Sequence, residues 1–105
     1  MELTLQQQTI EAEDALAVQE LFFQNEWTDG LPVVPPTKNK IEAMLNAVPM
    51  DPQTIIGAIP ERGCVFTLEV AAINSVMAGC LPEYFPVLVT AVSAISDPAF
   101  GLHGP

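Results

Sequence analysis

Residues 67–98 read TLEVAAINSVMAGCLPEYFPVLVTAVSAISDP, and the reading of this stretch decides the fold. Thr67 is placed to cap a helix over Leu68 to Ala78, its hydroxyl accepting from a first-turn N–H that has no partner within the helix. Gly79 suits the left-handed position that closes such a helix. Cys80 and Leu81 form a joint, and a last helix then runs to about Ser96, where Asp97-Pro98 ends it. Pro82 fits a first turn, since no N–H is required there. Pro86 either belongs to that same first turn or marks the helix start, and the spacing leaves both open. In the earlier of the two helices only Glu69, Asn74 and Ser75 are polar. At about 100° per residue they project in separate directions, so no face is suited to water. In the later one Glu83, Thr90, Ser93 and Asp97 share an arc and apolar side chains cover the rest.

Toward the N-terminus, Thr54 to Ile59 is a plausible short strand between Pro52 and Pro60, and a turn through Glu61-Arg62-Gly63 leads into Cys64-Val65-Phe66. Before it, Thr37 caps a helix whose inward face is Ile41, Met44, Leu45 and Val48, with Pro49 as its stop. Asp29-Gly30 is turn chemistry. Pro32, Pro35 and Pro36 make Leu31–Pro36 extended but a poor central strand, because proline fixes φ and removes a donor. Thr9 caps a first amphipathic helix to about Asn25, with Ala12, Ala15, Leu16, Gln19, Phe22 and Phe23 in an i, i+3, i+4 rhythm. The expected fold is therefore one α-rich α+β domain across 1–105. It has about four helices and a small or irregular β component around 31–35 and 54–66.

Composition narrows the function classes. Thirteen Asp and Glu against three Lys and Arg give a net charge of −10, while half of the 105 residues are hydrophobic. A chain that apolar is not a disordered acidic tail. The acidity argues against nucleic acid or an anionic membrane surface as partner, since phosphate binding needs clustered Lys and Arg. Tyr84 to Ser96 is shorter than the roughly 20 apolar residues of a membrane span. No basic region followed by an apolar core opens the sequence, and two cysteines without a leader fit reduced thiols in the cytoplasm. A Cys64–Cys80 disulfide stays open at this point.

Two helices apolar nearly all round are hard to enclose in so short a chain, which buries only about 60–70% of the surface its unfolded form exposes. A contiguous apolar patch should remain, marking an interface or a missing domain. The alternative is that Ala71, Ala72, Ala78, Ala91 and Ala94 let the helices pack more tightly.

Two segments are distinctive as literal strings: WTDGLPVVPPT at 27–37 and AAINSVMAGCLPEYFPV at 71–87. Together they cover about a quarter of the chain and resemble a family of bacterial proteins associated with UGSC (seleno)proteins, named for a selenocysteine-or-cysteine, Gly, Ser, Cys motif. The resemblance implies a domain or subunit of a thiol- or selenol-dependent enzyme, with redox chemistry as the expected reaction type. Two departures matter. Family members continue past a segment like Asp97–Pro105, so this chain resembles an N-terminal piece. It also lacks a Cys-x-x-Cys or UGSC motif, so a two-thiol centre would come from a partner: a UGSC-type protein, a missing C-terminal region or another copy.

Within that frame Cys80 is the sharpest candidate. The Gly79-Cys80-Leu81-Pro82-Glu83 joint sets its sulfur beside a helix N-terminus, where free N–H groups and the helix dipole favour a thiolate. Free cysteine is also commonly a small buried hydrophobe. The match to the family's Met-Ala-Gly-Cys-x-Pro-Glu pattern brings the two readings level. Glu83 is either a general base or a first-turn acid. Trp27 and Asp29 either shape a substrate site from a proline-stiffened loop or serve as core anchor and turn. Asn74, if buried, needs a hydrogen-bond partner from a ligand, a partner chain or backbone. No cofactor is implied and no metal site is expected, since Cys64, Cys80 and His103 lack the close-paired spacing of zinc ligands. The rival reading is a non-catalytic assembly module that docks through its apolar helices, with Cys80 merely packed.

Overall fold

The structure, a computed structural model, describes residues 14–97. Four helices and one two-stranded antiparallel sheet make a helix-rich α+β domain: α1 (Ala15–Gln24), α2 (Lys38–Leu45), β1 (Ile55–Ile59), β2 (Cys64–Thr67), α3 (Leu68–Met77) and α4 (Phe85–Ile95). Short 3-10 turns, Pro60–Arg62 and Pro82–Tyr84, lead into β2 and α4.

Local chemistry accounts for the element ends. Thr37 and Thr67 cap α2 and α3, their hydroxyls accepting from Lys40 N–H at 3.4 Å and Val70 N–H at 3.2 Å. Asp14 caps α1 through Ala17 N–H, and the expected cap Thr9 lies outside the described residues. Both prolines at the start of the last helix have a role. Pro82 opens the 3-10 turn and Pro86 sits in the first turn of α4. Pro86 has no N–H to bond back into the turn, so the ladder is interrupted there and restarts as an α-helix.

Ile41, Met44, Leu45 and Val48 are buried together with Ile56, Leu68, Ala72, Val76, Phe85 and Val89, and this cluster is where α2, α3, α4 and the hairpin meet. The hairpin pairs Ile59 with Cys64, Ala58 with Val65 and Gly57 with Phe66, then shifts register before Ile55 meets Thr67. At that bulge the Ile56 carbonyl accepts from Ser93 Oγ at 2.8 Å, which ties α4 to β1. Gly57 leaves room for α4 beside the same contact, because a Cβ there would run into Ser96 Oγ as it now stands.

The structure departs from the sequence reading in two places and adds to it in a third. Residues 31–35 form no strand. Three prolines leave Leu31, Val33 and Val34 as the donors, and these bond to Asp29 Oδ1, Gln19 Oε1 and the Met77 carbonyl rather than to a neighbouring strand. Glu69, one of the three polar residues scattered round α3 and given no particular environment by the sequence, is fully buried. The loop before β1 folds over it: Gln53 Nε2 donates to its carboxylate at 3.0 Å and its own N–H donates to the Pro52 carbonyl. In α1 the expected inward face is split. Phe22 is buried, whereas Leu16 is 81% and Phe23 53% exposed.

Helix α1 stands outside the main cluster. Gln19 acts toward the proline-rich segment as a strand would, accepting from Val33 N–H at 2.9 Å and donating to the Val33 carbonyl at 2.6 Å. Beyond α1, Trp27 packs edge-on against Phe22, ring centroids 5.3 Å apart.

Candidate functional site

The joint between α3 and α4 is built by its hydrogen bonds. Gly79 takes φ +85°, Gly79 N–H donates to the Val76 carbonyl and Cys80 N–H to the Ser75 carbonyl, both at 3.0 Å. This is a Schellman closure. It turns the chain sharply and presents Cys80 half-buried on the wall of two clefts. The smaller, about 250 Å³, lies between α2 and the joint and is lined by Val34, Lys40, Met44, Val76 and Pro82 among others. The larger, about 470 Å³, lies over α3, α4 and the hairpin, with Phe66, Ala71, Asn74, Leu88 and Val92 in its walls. Cys64, on β2, is exposed, and both thiols are free.

The polar residues of the larger cleft contribute little polarity to it. Asn74 Nδ2 donates to the Val70 carbonyl, Ser75 Oγ to Ala71 and Ser96 Oγ to Val92, each four residues back on its own helix. Thr90 does the same toward Pro86. This back-bonding is how two helices with scattered polar residues still present apolar walls. Asn74 is exposed at the rim, and the partner of its side-chain amide N–H is backbone.

Of the residues singled out from sequence, the structure brings Asn74 and Cys80 to one cleft. Glu83 lies exposed in the 3-10 turn after Cys80. Trp27 and Asp29 are on the loop after α1. Trp27 is half exposed, and Asp29 Oδ1 accepts from Leu31 N–H in a local turn. Neither they nor Glu83 line a cleft that contains Cys80. Cys80 is two residues before the 3-10 turn and five before α4, so the α-helical dipole begins farther from the sulfur than the sequence reading assumes. Sequence reasoning missed Lys40, which brings a cation to the smaller cleft. Its position in the first turn of a Thr37-capped helix was legible, but its neighbourhood with Cys80 depends on how α2 packs on α3.

Among the described residues no group of three or more His, Cys, Asp or Glu is placed to hold a metal ion, and no helix is long and apolar enough to cross a membrane. Compared with protein-family models, curated proteins and solved structures, the chain matches none.

Proposed function

We propose that the chain is a domain or subunit of a thiol- or selenol-dependent enzyme of the UGSC-associated kind, with Cys80 as the thiol it contributes. The observation that carries this reading is the position of Cys80 on the shared wall of two clefts, half-buried yet reachable, with its backbone held by the Schellman bonds. Asn74 at the rim of one cleft and Lys40 in the other are the polar groups available to a bound molecule, and the remaining walls are mostly apolar. The redox character is taken from the resemblance, and the second thiol or selenol from a partner. Competitive labelling tests it. In the folded chain Cys80 should react with iodoacetamide at a rate comparable to exposed Cys64 despite its lower exposure, and Cys80→Ser should abolish turnover in a complex reconstituted with a UGSC-motif protein while Cys64→Ser does not. A Cys80 that labels only after unfolding, or a Cys80→Ser complex with full turnover, would refute it.

A second reading has its own support. Leu81, Tyr84 and Val87 are 52%, 60% and 71% exposed along one side of the 3-10 turn and α4. On that reading the module assembles onto a larger protein through this apolar side, and Cys80 only packs.

A further inference from the structure

The α1 face carries a separate proposal, independent of the thiol. Leu16 and Phe23 are seven residues apart on α1, hence on one side of it, and both are exposed. Trp27, 49% exposed, follows the helix end and is fixed against Phe22. Glu20 lies on the same side between Leu16 and Phe23, and Glu26 follows the helix. No Lys or Arg occurs before Lys38, so the charges that α1 and its end contribute to this surface are acidic.

Glu26 sets this helix end apart. It holds φ +59°, the one non-glycine residue at positive φ among those described. Glu26 N–H donates to the Phe23 carbonyl and Trp27 N–H to Phe22, the same Schellman pattern that Gly79 and Cys80 make at the end of α3. At one helix end the left-handed position is glycine. At the other an acid takes it at a conformational cost, beside two exposed aromatic rings.

We propose that this surface docks into an apolar cleft rimmed by Lys and Arg on another protein. Charge complementarity selects that occupant. A second copy of this chain would set Glu20 and Glu26 against an equally acidic face across a two-fold contact, and like charges facing one another cost several-fold in affinity. An anionic lipid surface would be repelled in the same way, since surface-binding helices carry basic rather than acidic flanks.

A short amphipathic peptide of leucine and lysine is the smallest probe with that chemistry, and Trp27, the only tryptophan in the chain, reports on it. Titration should shift Trp27 emission to the blue, with an affinity that falls as salt rises. Leu16→Ser and Phe23→Ser should each weaken binding by roughly fivefold or more, as truncating an apolar anchor does. Glu26→Gln should weaken it too, while Glu42→Gln on α2, with the same change in net charge, should leave it unaltered. Leu16 is so exposed that its serine variant tests the surface without threatening the fold. The proposal is overturned if the peptide does not bind, if Glu42→Gln weakens binding as much as Glu26→Gln, or if a leucine–glutamate peptide binds equally well. It is also overturned if sedimentation shows two copies held together by a contact that Phe23→Ser abolishes. The same titration on Cys80→Ser separates its fate from that of the thiol.

Discussion

Glu26 and Gly79 hold the same backbone role at the ends of α1 and α3, with φ +59° and +85°. An L side chain in that region brings its Cβ too close to the neighbouring carbonyl oxygen, a strain of roughly 1–2 kcal/mol that glycine escapes. Glu26→Gly should therefore raise the urea midpoint by an amount equivalent to about 0.5–1 kcal/mol, after allowing for the greater freedom glycine gives the unfolded chain. Gly79→Ala should lower it by about 1 kcal/mol. A Glu26→Gly midpoint at or below that of the parent would mean that the carboxylate or its neighbours already offset the strain. Gly79 was legible in the sequence because glycine after an apolar run is itself the signal. Glu26 was not, since nothing about glutamate marks a left-handed residue, although the helix end at Asn25 was read correctly.

At the scale of elements, α4 is joined to β1 by a hydroxyl and by the absence of a side chain. The register shift in the hairpin leaves the Ile56 carbonyl to Ser93, and the adjoining Gly57 lets Ser96 approach. Gly57→Ala should destabilise the fold by about 1–3 kcal/mol, the usual range for overpacking, because Ser96 or the strand must move. Combining it with Ser96→Gly should recover part of the loss if that contact is the cause, and thermal melts of the three variants decide it. Most elements were legible: the 3.6-residue period gave the buried face of α2 in full, and Thr37 and Thr67 announced their helices. What escaped depends on partners distant in the chain. The proline-rich segment finds Gln19 and Met77 in place of a neighbouring strand, and Glu69 is covered by a loop sixteen positions away in the sequence. Periodicity carries no record of either. For the candidate site, the joint at Gly79-Cys80 was readable from local chemistry and Asn74 was singled out with it, whereas the approach of Lys40 was not legible.

At the scale of the molecule, the exposed large apolar side chains among the described residues include Leu16, Phe23 and Trp27 at α1 and Leu81, Tyr84 and Val87 at the start of α4. The folded chain should consequently bind a neutral hydrophobic dye such as Nile red. The pair Leu81→Ser and Val87→Ser should reduce that signal with the far-ultraviolet circular dichroism unchanged. A native chain that leaves the dye dark would mean that these side chains are not contiguous enough to act as a surface. The Gln19 bridge to Val33 has a different kind of consequence. A primary amide serves there as donor and acceptor at once. Spontaneous hydrolysis to glutamate would preserve shape and the bond from the Val33 N–H, yet set one oxygen against another. Slow chemical ageing at this single side chain would thus unclasp the first helix from the proline strap while the rest of the domain stayed folded.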